Sequence, residues 1–198
     1  MNKFLALAAT VILGGALLIA GCGSDNKQAA SGDKQVLKIG ATAVPHAEIL
    51  EQVKPILAKE GVELKITEFT DYNTPNLALG DKEIDANFFQ HVPYMDEFAK
   101  AHKLNLVSVG GVHLEPMGLY SRQIKDLKDL PKGAKIAIPN DPTNGGRALL
   151  LLQKAGLITL KDSNNILSTV QDIATNPNGY QFVELEAAQV PRSLDDVA

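Results

Sequence analysis

Pro139-Asn140-Asp141-Pro142-Thr143-Asn144-Gly145-Gly146-Arg147 joins a strand-like run, Lys135 to Ile138, to a helix-like run, Ala148 to Ala155. The nonapeptide reads as a helix entrance. Unpaired backbone N–H groups there favour an anion, and two glycines let a ligand approach the main chain. Arg147, read as lying in the first helical turn, works against the helix dipole and calls for a negative partner. A bound carboxylate would supply one, because an arginine fork matches it bidentately, and Asn144 offers amide groups to the same ligand. The competing reading is structural: Asn144 caps the helix and Arg147 pairs with a surface carboxylate.

Working outward, Val36 to Gly40 reads as a strand, and Pro45 sits where a helix can begin. Ile49, Leu50, Val53, Ile56 and Leu57 recur at helical spacing up to Gly61, with Pro55 implying a kink or an early end. Val62 to Phe69 alternates as a strand does. The order strand, helix, strand predicts a parallel sheet with helices on its faces. Thr74-Pro75 starts a short helix, and Tyr72 stands just before it, at the sheet edge where α/β folds gather ligand groups; a core or rim tyrosine is the alternative. Ile84 to His91 puts Phe88, Phe89, Gln90 and His91 at a strand end, and Pro93 opens a helix through Tyr94 and Phe98. Aromatic faces beside a polar tip suit an uncharged, polarizable side chain such as a thioether, although at least one of Phe88 and Phe89 is expected in the core.

Leu104 to Val112 alternates again, broken or bulged at Gly110-Gly111. Ile166 to Ile173 reads as a helix, Tyr180 to Leu185 as a strand, and Glu186 to Gln189 as a short helix stopped by Pro191. The expected organisation is a first lobe over 36–112, an interlobe crossing over 113–121 and a second lobe over 122–198.

The front of the chain is of another kind. Lys3, the apolar run Phe4 to Ala20, and Leu18-Ile19-Ala20-Gly21-Cys22 form a lipobox, making 1–21 a lipoprotein signal peptide and Cys22 the lipidation site. Cys22 is the only cysteine in 198 residues, so it has no internal disulfide partner. A single transmembrane anchor is the alternative. The stretch 22–35 is a polar, flexible tether. A net charge of −4, with both signs interspersed, offers no nucleic-acid surface.

With the lipobox, Asp85-Ala86-Asn87-Phe88-Phe89-Gln90-His91-Val92-Pro93-Tyr94, His113-Leu114-Glu115-Pro116-Met117-Gly118 and Pro139 to Arg147 in view, the sequence resembles the NlpA/MetQ family, the methionine-binding lipoproteins of ABC importers. The resemblance covers essentially all of the chain after the signal peptide. It implies a type 2 periplasmic-binding-protein-like fold, two α/β lobes with a ligand cleft between them. It also implies a lipid-anchored membrane protein facing the periplasm or cell exterior, which delivers methionine to an ABC permease and its ATPase. By the same resemblance, Arg147 holds the ligand carboxylate with Asn144 beside it. Tyr72, Phe89 and His91 surround the side chain, with Phe88 and Tyr94 as secondary members of the set. Family members continue past the segment matching Asp195-Asp196 into a strand ending Asn-Gly-Asn-Tyr, which adds a ligand-contacting asparagine and returns to the first lobe. The expectation is therefore an incomplete second lobe and return.

Two other classes of reading compete. His46, His91, His113 and Glu115 are metal-ligand types, but no close-spaced pair unites them. The same lipoprotein without transport, serving only as a surface module, is the other. An enzyme is not expected: there is no Gly-x-Ser-x-Gly elbow, no His-Glu-x-x-His, no lysine-bearing phosphate loop and no cofactor motif.

Overall fold

Alternation of apolar and polar residues finds its partners first around β1 (Gln35–Thr42) in the computed structural model, which describes residues 35–198. The expected signal peptide, the expected lipidation site Cys22 and all of the expected tether except Gln35 lie outside the described residues. β1 is the middle strand of a parallel sheet, flanked by β2 (Val62–Phe69) and β3 (Ala86–Phe88). Leu37 stands opposite Leu64 and Ile39 opposite Ile66, so one face of the pair is apolar. Helix α1 (Glu48–Lys59) covers that face, joining Leu50 to Ala41, Ala47 and Leu64 in one core.

Pro55 neither ends α1 nor shortens it. It lies on the exposed side, where solvent can reach the carbonyl of Glu51 that a proline leaves without a donor. The short α2 (Thr74–Gly80) and α3 (Val92–His102) follow, both with proline in the first turn as the sequence suggests.

The second half builds its own sheet and core. β4 (Lys135–Pro139) pairs in parallel with β7 (Gln181–Leu185), and Ile136 stands opposite Phe182. Helix α4 (Pro142–Lys154) sets Leu149 and Leu152, both essentially inaccessible, against Ile138, Ile158 and Tyr180. A small antiparallel pair, β5 (Thr159–Leu160) with β6 (Ile173–Thr175), closes that side.

Three expectations are corrected. Leu104–Val112 forms no strand: β1 is already flanked on both sides, no described strand pairs with the run, and Val107 and Val109 are 78% and 96% exposed. Ile166–Ile173 is not a helix. Its polar side chains take the local backbone groups instead: Asn165 Oδ1 accepts from the Leu167 N–H at 3.0 Å, and Asp172 Oδ2 accepts from the Thr169 N–H and hydroxyl, both at 2.8 Å. Only a single turn, Val170–Asp172, precedes β6. After β7, a 3-10 turn over Ala187–Ser193 runs through Pro191, where the sequence suggested a helix stopping at that residue.

Candidate functional site

Asp141, not Asn144, caps α4. Its Oδ1 accepts the Asn144 N–H at 2.8 Å and the Thr143 hydroxyl at 3.0 Å, and Pro142 occupies the first helical turn. The helix thus begins at Pro142, three residues before an Asn144 cap would start it. Arg147 lies in its second turn, beyond the strongest reach of the dipole. The glycines also serve a different purpose from the one their sequence suggests. A Cβ on Gly146 would fall 1.8 Å from the Ile166 carbonyl oxygen, and one on Gly145 would fall 2.9 Å from that of Pro139. They admit the chain's own backbone, not a ligand.

Above this cap runs a short polar ladder. Asn144 Nδ2 donates to Asp141 Oδ2 at 3.1 Å, and Arg147 Nη1 donates to Asn144 Oδ1 at 3.0 Å. Arg147 Nη2 donates to the main-chain oxygen of Glu115 at 3.1 Å. Among the described residues no carboxylate lies within ion-pair distance of Arg147, so the surface-pair reading fails. Asn144 is buried, and one of its two amide N–H donors is free for a further partner.

The aromatic residues gather separately. Phe89, Tyr94 and Phe98 form a buried cluster with Tyr72 against it; ring centroids are 5.8 Å apart for Tyr72 and Phe89 and 6.1 Å for Phe89 and Tyr94. The Tyr94 hydroxyl donates to the Tyr72 carbonyl at 3.0 Å. Burial, reinforced by the carboxylates of Asp141, Asp71 and Glu186, pushes its phenol far above the usual range. His91 stacks on Tyr94 with centroids 6.4 Å apart, and its Nε2 is buried with no hydrogen-bond partner among the described residues. Burial holds the His91 pKa below its usual value; the Arg147 charge adds to this, while Asp141 and Glu115 oppose it. Tyr72 is raised by burial and then by Glu115 and Asp141.

Helices α3 and α4 are in contact, which brings the aromatic wall and the α4 wall to the same cavity. Tyr72, Phe88, Phe89, His91, Tyr94, Asn144 and Arg147 all line one cavity of about 1640 Å³. Phe88 stands apart from the other aromatics, edge-on to His46 at 4.7 Å and to His113 at 5.6 Å.

Sequence reading missed two supports of this site. One is Asp141, although Asp-Pro before an apolar run is a helix-start signal. The other is a closed set of amides behind the aromatic wall. Asn76, fully buried, exchanges hydrogen bonds with Gln90 at 2.8 and 2.7 Å and accepts from Asn87 at 2.8 Å, tying α2 to β3 and the turn after it. No spacing announces that set. Of the metal-type residues, His46, His113 and Glu115 converge, with ligand atoms all within 4.8 Å of one another, and His91 is not among them.

A family model described as NlpA lipoprotein matches residues 37–198. The D-methionine-binding lipoprotein MetQ of Salmonella typhi is 46% identical over 196 residues, covering 98% of this chain and 70% of that protein. A nutrient binding protein from Burkholderia cenocepacia, solved bound to methionine, superposes with a TM-score of 0.78 at 47% identity, covering 81% of this chain and 68% of that one. An ABC transporter periplasmic substrate-binding protein from Coxiella burnetii gives 0.77 at 48% identity, covering 81% and 68%. The fold is of the periplasmic-binding-protein-like α/β type. The chain spans about 70% of the length of the MetQ relative. Among the described residues no helix is long and apolar enough to cross a membrane.

Proposed function

The chain belongs to the NlpA lipoprotein family, and from that premise we propose that it is a membrane-anchored binding protein that captures methionine and delivers it to an ABC permease and its ATPase without catalysing a reaction. In this reading, Cys22 carries the lipid that holds the chain on the membrane, facing the periplasm or cell exterior. Residues 22–35 are the tether, 36–112 and 122–198 the two lobes, and 113–121 the crossing between them.

The observation that carries the reading is Arg147. It is a partly buried guanidinium on the wall of a cavity, held in direction by Asn144 and the Glu115 carbonyl, with no carboxylate partner among the described residues. A free amino acid supplies that carboxylate, and the guanidinium can receive it as a fork. The free amide donor of Asn144 lies beside it. On the aromatic side, Tyr72, Phe89 and His91, with Tyr94 packed against them and Phe88 as a secondary member, offer ring faces and edges to a thioether chain, a contact to which sulfur is well suited. The unpartnered Nε2 of His91 gives that wall one polar atom to satisfy. Closing the lobes on the ligand removes water from the carboxylate–guanidinium pair, and the permease then need only recognise the closed form.

The test is a calorimetric titration of the full chain in detergent with L-methionine, after unfolding and refolding to strip any carried ligand. Binding in the micromolar range or tighter is expected. Arg147→Ala should weaken it by at least roughly 30-fold, about 2 kcal/mol, because the ligand carboxylate is then desolvated without its partner. Equal affinity in the variant would overturn the reading.

A further inference from the structure

We propose that His46, His113 and Glu115 form a binding site for a divalent metal ion of the zinc type. The residues come from two places far apart in sequence. His46 is in the distorted turn Ala43–Ala47 that follows β1, and the other two are on the extended run after α3. Nevertheless, their ligand atoms converge. His113 Nε2 lies 3.0 Å from Glu115 Oε1 and His46 Nε2 lies 3.7 Å from the same oxygen. Two ligands of a tetrahedral zinc ion, each at roughly 2.0–2.1 Å from the metal, stand about 3.3 Å apart. The two observed separations bracket that spacing.

The surroundings are also those of a ligand set. The far nitrogen of the His46 ring, Nδ1, hydrogen bonds with Thr42 Oγ1 at 2.7 Å, which fixes the ring with Nε2 turned towards the other two residues. A metal-bound histidine is typically oriented in this way, its other ring N–H held by an oxygen. Phe88 packs edge-on against both imidazoles and shields one side. His46 is 6% exposed, whereas the Glu115 side chain is half-exposed to the cavity, so an ion has a path in. The nearest guanidinium does not compete for the carboxylate, since Arg147 bonds to the main-chain oxygen of Glu115.

Three protein ligands leave one position for water or another small ligand. The ion clips the extended run to the β1 turn, and so fixes the carbonyl that holds Arg147. This role is independent of whether the cavity takes methionine.

The experiment is a calorimetric titration of zinc chloride into the untagged full chain in detergent, stripped with chelator and free of methionine. One equivalent should bind in the micromolar range or tighter, and cobalt should give the visible absorption of a four-coordinate ion. Thr42→Val should weaken zinc by roughly 10- to 100-fold, the usual cost of losing an orienting partner. His113→Ala and Glu115→Gln should weaken it at least as much. Glu115→Gln changes a half-exposed side chain without changing its size, so it tests the site even if other variants fold poorly; melting curves check each one. His102→Ala, a histidine outside the set, should leave affinity unchanged. Absence of a stoichiometric zinc site, equal affinity in Glu115→Gln, or loss in His102→Ala would each overturn the proposal.

Discussion

The two walls of the cavity are built by opposite means. The wall around α3 is apolar packing: Phe89, Tyr94 and Phe98 bury one another, and Tyr72 leans on them. The wall from α4 is a polar ladder, Asp141 to Asn144 to Arg147, set on a helix whose glycines let foreign backbone come close. A packed wall is defined by filled volume, whereas a hydrogen-bonded wall is defined by direction. The difference suits a ligand with an apolar end and a charged end. It also means that damage to each wall should read out differently.

The largest effect belongs to the packed wall. Phe89→Ala removes a ring that is 7% exposed from the centre of the aromatic cluster. Loss of transfer energy plus the cavity left behind should cost about 3–5 kcal/mol of folding stability. Chemical denaturation of the ligand-free chain measures it. A cost below about 1 kcal/mol would mean that the wall is not held by packing, and the contrast would collapse.

Next is the close approach behind the polar wall. Gly146→Ala would place a methyl group 1.8 Å from the Ile166 carbonyl oxygen, which is backbone and cannot simply rotate away. Overpacking of this kind should destabilise by about 1–3 kcal/mol or more, although alanine is the better helix former by roughly 1 kcal/mol. A more stable variant would show that the approach is loose. This position also explains why the glycine pair was misread. A glycine pair at a helix entrance reads as room for a ligand when local sequence is all one sees, and the reason for Gly146 lies in the backbone of Ile166, twenty residues further along the chain.

The same distinction separates what was legible from what was not. β1, β2, β4 and β7 were legible because each alternating run finds a neighbour that takes its hydrogen bonds. Leu104–Val112 shows the same alternation and finds none among the described strands, so the pattern alone does not make a strand. Seven of the residues that line the cavity were nameable in advance, because Phe88, Phe89, His91 and Tyr94 sit in one short stretch and Asn144 and Arg147 in another, with Tyr72 the seventh. The meeting of His46 with His113 and Glu115 spans too much sequence for any spacing rule. The amide set of Asn76, Asn87 and Gln90 is equally invisible, since each residue alone reads as an ordinary polar side chain.

A smaller effect tests the foot of the ladder. Asp141→Ala removes the acceptor of the Asn144 N–H, the Thr143 hydroxyl and the Asn144 amide together. Loss of a helix cap costs about 1 kcal/mol, within a range of roughly 0.5–2. Asn144 would also lose its hold, so L-methionine affinity should fall with stability. Asp141→Asn keeps an acceptor and should recover most of both; if it recovers neither, the charge at the helix start matters more than the hydrogen bonds.

The smallest effect is a slope with pH, and it joins the two walls. His91 belongs to the aromatic wall, but its pKa is held below 6.5 by burial and then by the Arg147 guanidinium of the other wall, against the opposing pull of Asp141 and Glu115. A histidine lowered in the folded state favours folding fully above its unfolded pKa. Below that value the unfolded chain takes up a proton that the folded one resists, so stability falls as pH drops from about 6.5 towards the folded value. Melting temperature should therefore decline between pH 7 and pH 5, and His91→Gln should flatten part of that decline. His46, also lowered chiefly by burial, leaves a residual slope. Asp71 acts in a separate, more acidic window: burial works to raise its carboxyl, but hydrogen bonds from Thr74 and Asn73 outweigh this and hold it below 3.8. The sharper test is Arg147→Gln. Removing the guanidinium should raise the His91 pKa, followed by NMR of the ring, and make the decline shallower, whereas an unmoved His91 would mean that the two walls do not sense each other across the cavity.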